Sequence, residues 1–292
     1  MADSLADIRE QIAIANRMLA NEGILDAFGH VSVRHPTNPE RFLMSRHRAP
    51  KLVEPADVLE FTLDNKPVVP TEHRLYGEMV IHSCIFQARP DVNAVCHHHA
   101  PSVLPYCISG IEMKPVYHLG ATMGAHVPFW DSRDDFGDTA LVVVKPEEGR
   151  SLAKALGQNW TVLMRRHGAT VAGTDLRQLI FRTIYTCKNA ELQSHALAHG
   201  HVGALSPAEA EKAGAYNLRP GPLERAWDFW MRRLNEAEAL AASAQGAKAT
   251  RSKAPAKAKS AGKKSAGSKY AGAKRAKPIK RGAKSAKRRS SR

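Results

Sequence analysis

The run RPDVNAVCHHH at 89–99 ends on His97 and His99. A Val- and Cys-rich run of this kind reads as a buried β-strand. Alternation along a strand puts His97 and His99 on one face and His98 on the other. Two neutral imidazoles side by side at a strand end can hold a divalent metal. Glu78 lies 19 residues before His97, and His167 lies 68 residues after His99, in RRHGATVAG. Brought together by the fold, these four side chains would share one ion. Each also has an ordinary reading: a solvated helical glutamate, hydrogen-bonded core histidines, or a histidine at a strand-to-loop junction.

The elements that must position them are legible as patterns. Apolar residues at Leu5, Ile8, Ile12, Ala15 and Leu19 predict a helix over 4–22, with Gly23 as its stop. Short strands are predicted at His30–Arg34, Arg41–Met44 and Asp57–Thr62, with Val68–Val69 as a further candidate. Residues 73–88 read as a helix, with Glu78 and His82 four apart on one face. Then follow a strand at Val92–His98, a helix from about Ala100-Pro101, a helix at Glu147–Leu156 and a strand at Thr161–Arg165. A long helix at Asp175–Ala198 and two more at 206–216 and 222–244 complete the series. Strands mixed with helices predict an α/β layered domain.

Composition divides the chain of 292 residues. The formal net charge is +15, yet residues 246–292 carry 18 Lys+Arg and no acid, leaving 25 basic against 28 acidic residues in 1–245. The expected organisation is a catalytic-sized domain at 1–245 and a disordered Lys/Ala-rich basic tail at 246–292. Such a tail can bind nucleic acid or another polyanion through phosphate neutralisation, without sequence readout. Its sole aromatic, Tyr270, leaves little for base stacking. No apolar run suits a signal peptide or membrane span, and Cys84, Cys96, Cys107 and Cys187 form no CxxC pair. A cytoplasmic protein with reduced thiols is expected.

EMVIHSCIFQARPDVNAVCHHHAPSV (78–103) and VLMRRHGATVAG (162–173) resemble the class II aldolase/adducin family, from about residue 5 to 218. The resemblance implies a three-layer domain with a mixed central β-sheet flanked by helices. It also implies a divalent metal, Zn2+ or Mn2+, on His97, His99 and His167, with Glu78 as acid/base and resting-state ligand. Tyr117, in PVYHLGATMGAHVP, would be the proton donor. A homotetramer is implied, with active sites between subunits, so that Tyr117 would serve a neighbour's metal.

The small polar residues that cradle phosphate in the family's sugar-phosphate aldolases are replaced here. AFGHVS (27–32) has His30 where Asn is expected, LMSRHRAPKLV brings Ser45, Arg46 and Arg48, and Tyr76-Gly77 stands in place of Ser-Ser. Guanidinium groups suit planar carboxylates. FGHVSVRHP and FLMSRHRAP resemble the branch of hydroxy-aromatic and heteroaromatic acid decarboxylases. The expected function is therefore a metal-dependent C–C lyase that decarboxylates a hydroxylated aromatic (di)carboxylic acid. In it His30 assists Glu78, while Gly29, Ser32, Ser45, Arg46 and Arg48 bind substrate. An aldolase or epimerase on an unphosphorylated hydroxy-carbonyl compound is the alternative, and an adducin-like scaffold is a third. His195 and His199 (i, i+4), with His201, read as a helix-end cluster rather than a second metal site. Trp227 and Trp230 read as packing residues.

Overall fold

The computed structural model describes residues 4–252, with side chains as far as residue 245. The elements run α1 (Leu5–Asn21), β1 (His30–Arg34), β2 (Arg41–Ser45), β3 (Val58–Thr62), α2 (Met79–Ala88), β4 (Ala94–His98), α3 (Leu104–Ser109), β5 (Phe129–Trp130), α4 (Ser132–Phe136), α5 (Pro146–Leu156), β6 (Thr161–Met164), β7 (Gly168–Gly173), α6 (Leu176–Ala198), α7 (Pro207–Asn217) and α8 (Pro220–Ser252). Seven strands form one sheet in the order β3-β2-β1-β4-β7-β6-β5. All neighbours are antiparallel except the parallel pair β5–β6.

The sheet is covered on both faces, so this is the expected three-layer α/β domain. Strand alternation assigns the faces. Val31, Ala94, Cys96, Ala169 and Val171 pack with Met18 and Leu19 of α1 and with Leu179 and Ile180 of α6. Phe42, Met44, Val95, Val162 and Ala172 pack with Ile81 and Ile85 of α2 and with Leu152 and Leu156 of α5. His97 shares the second face with Val95, so the histidine pair opens beneath α2. Ser4 caps α1 in a reciprocal capping box with Asp7, as the start of that helix requires.

Several expectations need correction. Val68–Val69 forms no strand; the nearest feature is an isolated bridge between Phe61 and Pro67, and Pro70 soon ends the extended run. The helix expected over 73–88 begins at Met79 instead. Glu78 is its N-cap, with φ −84° and ψ 14°, and its carboxylate turns toward the histidines instead of capping. The helix expected from Ala100-Pro101 starts at Leu104, after a turn closed by Val103 N–H donating to the Ala100 carbonyl. β5 and β7 were not anticipated. β7 is a short Gly/Ala-rich segment (GATVAG) without the bulky alternation that marks a strand.

Trp230 is buried against Phe181 and Tyr185, and Trp227 packs beside it. The four cysteines are free and buried. Positions 246–252, expected to open the disordered tail, continue α8. Their Ala, Lys and Arg are good helix formers, with no proline before Pro255. The rest of that expectation, 253–292, lies outside the described residues. Among the described residues no helix is long and apolar enough to cross a membrane.

Candidate metal and acid/base centre

Three neighbouring strands and two turns build the centre. His30 of β1 is register partner to His97 of β4, which is partner to Thr170 of β7. His99 follows directly after β4. His167 is the last residue of the three-residue β6–β7 hairpin loop, whose middle residue Arg166 is left-handed (φ 53°). Gly168 must be glycine: a Cβ there would sit 2.3 Å from the His98 carbonyl oxygen and 2.9 Å from the His99 ring. This close approach sets His167 against His99, their rings stacked at 5.0 Å. Gly29 (φ +87°) has a similar reason, since a Cβ would lie 2.9 Å from the His97 carbonyl. Its backbone approach is what brings the entrance to β1 against the end of β4.

The ligand atoms converge. His97 Nε2 lies 3.0 Å from His99 Nε2 and 3.2 Å from His167 Nε2. Glu78 Oε1 is 3.4 Å from His167 Nε2, and Oε2 is 3.8 Å from His97 Nε2. One ligand atom from each of Glu78, His97, His99 and His167 falls within 4.8 Å of all the others. Among the described residues these four form the one such group of His, Cys, Asp and Glu, and His195, His199 and His201 do not join it.

The electrostatics suit a cation. Burial, then the neighbouring His167, His30, His99 and His98, push His97 well below the ordinary imidazole range. Burial, then His167, lowers His99 to about 4. Burial also lowers His167, against the pull of Glu78 and of the Leu141 carbonyl. All three are therefore neutral at physiological pH, as metal ligation requires. Burial pushes the Glu78 carboxyl up, but the imidazoles of His30 and His167 beside it and the Val143 N–H together hold it below its ordinary value. Val143 N–H donates to Glu78 Oε1 at 3.3 Å. Three lone-pair nitrogens and one carboxylate aimed at one point are a donor set for a divalent ion such as zinc or manganese. The residues present fit that group.

Surrounding contacts orient the ligands. His97 Nδ1 lies 3.2 Å from Thr170 Oγ1, which donates to Met164 Sδ. With its proton so used, the threonine accepts Nδ1–H, and His97 Nε2 turns a bare lone pair on the cluster. His30 Nε2 is 3.9 Å from Glu78 Oε2, and its ring leans on Tyr76 at 4.7 Å between centroids. Ser32 Oγ bonds His82, not open space. Ser45 Oγ is 3.5 Å from Tyr76 OH, which donates to the Arg48 carbonyl. Arg46 and Arg48 are both tied by Nε to Asp57, at 2.7 and 2.9 Å.

Tyr117 stands apart from the cluster. Its ring flanks Gly120 and lies near Tyr185 of α6, on the opposite side of the sheet. Burial raises its pKa.

Sequence reasoning missed Thr170, Asp57 and the 141–143 segment. Thr170 would have surfaced had β7 been read as a strand opposite His97. Leu141 and Val143 gave no signal, because they contribute backbone groups. Leu141 is left-handed (φ 62°), an unusual conformation for a branched side chain.

Residues 10–194 match the family described as "Class II Aldolase and Adducin N-terminal domain". The chain belongs to this family. Decarboxylase tropJ of Talaromyces stipitatus is 36% identical over 241 residues, which is 74% of this chain and 90% of that protein. A 3,4-dihydroxyphthalate decarboxylase of Arthrobacter keyseri is 29% identical over 215 residues, 68% of this chain and 82% of that one. Among solved structures, an aldolase II superfamily protein from Pseudomonas syringae superposes with a TM-score of 0.69 at 20% identity, covering 81% of this chain and 95% of that chain. L-fuculose 1-phosphate aldolase from Glaciozyma antarctica gives 0.67 at 21%, covering 80% and 90%. These two likenesses concern the fold. The class II aldolase family and relatives named as decarboxylases make the chain a lyase by kinship.

Proposed function

We propose that this class II aldolase-family chain is a metal-dependent carboxy-lyase acting on a hydroxylated aromatic (di)carboxylic acid. The observation that carries the reading is the convergence of Glu78, His97, His99 and His167 within 4.8 Å, taken together with relatives named as decarboxylases, one of them for 3,4-dihydroxyphthalate. His97, His99 and His167 hold the ion, and Glu78 is its resting fourth ligand. When bound, a zinc or manganese ion supplies positive charge beside a substrate oxygen, where loss of a neighbouring carboxylate builds up electron density. Glu78 takes the hydroxyl proton and returns one to the ring carbon that has lost CO2. His30, between Tyr76 and Glu78, assists that transfer.

Arg46 and Arg48, bracketed through Nε by Asp57, present guanidinium groups to the substrate carboxylates, with Ser45 and Gly29 shaping the floor, while Ser32, expected there, is buried against His82. Tyr76, in the place of a small polar residue, fills the volume a phosphate would need and offers an aromatic face. Tyr117 reaches a neighbour's centre in a homotetramer. The buried free cysteines accord with a reducing, cytoplasmic setting. The tail binds nucleic acid or polyphosphate electrostatically, and binding that a chain ending at 245 retains in full would contradict this.

The test is release of CO2 from a panel of hydroxyphthalates and related acids by the metal-loaded protein. Chelation is expected to stop it and added zinc or manganese to restore it. A loaded protein that leaves every acid intact while cleaving an unphosphorylated hydroxy-carbonyl compound would assign the same centre to aldol chemistry.

A further inference from the structure

Three arginines are almost wholly buried, and two of them are satisfied. Arg34 gives its nitrogens to the carbonyls of Val92, Pro39, Phe86 and Arg89. Arg89 pairs with Asp91 at 2.7 Å and bonds the Gly157 and Asn159 carbonyls. Arg182 of α6 is the exception. It is 5% exposed, its Nη1 donates to the Thr122 carbonyl, and its Nε is sealed without a partner. The acid whose charge reaches it is Asp175, and that carboxylate is committed to capping α6 by accepting from Gln178 N–H. Burial lowers the Arg182 pKa to about 9, which leaves it charged at neutral pH. A buried cation with so few partners is costly unless something else meets it.

What meets it is an aromatic face and a cavity. The guanidinium carbon lies 4.2 Å from the centroid of Trp160, a cation–π contact. Both side chains line a cavity of about 470 Å³, a volume usual for small-ligand sites. α7 covers it: Gly214 approaches the turn 120–123 so closely that a Cβ would sit 3.0 Å from the Ala121 carbonyl oxygen. No residue of the metal centre lines this cavity. Trp160 enters β6 at the end opposite the hairpin that carries His167.

The lining chooses the ligand. One guanidinium without a carboxylate partner matches one anionic group, and its planar fork suits a carboxylate. Trp160 and the small walls at Ala121 and Ala210 suit an apolar body. Glu211, exposed on the same wall, opposes a second negative charge. We propose that the cavity at Arg182 and Trp160 binds a small organic monocarboxylate, with its carboxylate on the guanidinium and its apolar body against the indole. The site is separate from the metal centre, and the proposal does not rest on the lyase reading.

The full chain, carrying 5-fluorotryptophan at its four tryptophans, is studied by fluorine NMR, with the Trp160 signal identified by its loss in Trp160→Phe. Benzoate is the probe, titrated to about 20 mM, enough to read a millimolar affinity. The Trp160 signal should move saturably, and it should move equally in His97→Ala. Arg182→Gln should weaken binding at least about 10-fold, the scale of a lost hydrogen bond to a charged group. A thermal melt checks that each variant is folded. Should Arg182→Gln not fold, Ala215→Phe on the exposed rim carries the test by filling the cavity mouth. A Trp160 signal that benzoate leaves in place overturns the proposal, and so does a shift kept in full by the folded variant. A shift lost in His97→Ala would assign the benzoate to the metal centre and overturn it as well. An equal shift with sodium chloride, or phthalate binding as tightly as benzoate, overturns the monocarboxylate assignment.

Discussion

At the scale of residues, the centre depends on lone pairs pointing the right way. His97 is the example: its Nδ1 is taken by Thr170, whose own proton goes to Met164 Sδ. Replacing Thr170 by Val keeps the shape and removes the acceptor, freeing the ring to invert its tautomer. We expect Thr170→Val to weaken zinc binding by about 10–100-fold, the usual cost of losing a partner to a metal-ligating histidine. The fold should be almost unaffected. Competition titration against a chelator of known affinity measures the first and a thermal melt the second. Unchanged zinc affinity would mean that Thr170 does not set the ring. Arg46 and Arg48 show what residue types alone leave open. The sequence suggests two cations for two carboxylates, whereas Asp57 already engages both through Nε, and nothing in local spacing announces a partner in the turn that leads into β3.

Elements bring the ligands together, and here backbone approach counts as much as side-chain identity. Gly168 lets the β6–β7 hairpin lie against the end of β4. Gly168→Ala would place a Cβ 2.3 Å from the His98 carbonyl oxygen, an overlap with backbone that cannot swing aside. We expect a loss of about 1–3 kcal/mol in stability, typical of overpacking, together with reduced metal occupancy because His167 moves with the hairpin. Urea unfolding and metal analysis of the same preparation test this, and full occupancy at wild-type stability would contradict it. The legibility of the sequence divides along the same line. β4 was readable because Val92–Cys96 is rich in Val and Cys and runs directly into His97, His98 and His99. α1 and α6 were readable from their apolar spacing. β7 was not, because glycine and alanine carry little strand signal. The true start of α2 at Met79 was not either, because tertiary contacts at Glu78 override the helical pattern of 73–88. The ligand set was visible as residue types in order along the chain. The Val143 N–H donor and the Ser32–His82 contact were not, since they exist only once distant elements are packed together.

At the scale of the whole molecule, a buried cluster of neutral histidines links folding to pH. His82 is fully buried and held well below 6.5, first by burial and then by His30. Between 6.5 and that lower value the unfolded chain binds a proton at residue 82 that the folded chain refuses. The stability it contributes is therefore complete above 6.5 and is lost as pH falls through this window. Each such group changes the unfolding free energy by about 1.4 kcal/mol per pH unit. Chemical unfolding of metal-free protein at pH 7.5 and 5.5 should show the wild type losing stability on acidification, and His82→Phe losing about 1.4 kcal/mol less. Equal losses in the two proteins would show that residue 82 does not refuse its proton.

The central claim is that distant parts of the chain, residues 78, 97, 99 and 167, hold one divalent ion. Metal content by plasma mass spectrometry tests it most directly, on the full chain purified without chelator or affinity tag and on His97→Ala prepared in the same way. One zinc or manganese per chain in the wild type and essentially none in the variant is the predicted result. A wild type without stoichiometric metal even after incubation with either ion, or a His97→Ala variant that keeps its full complement, would contradict the account.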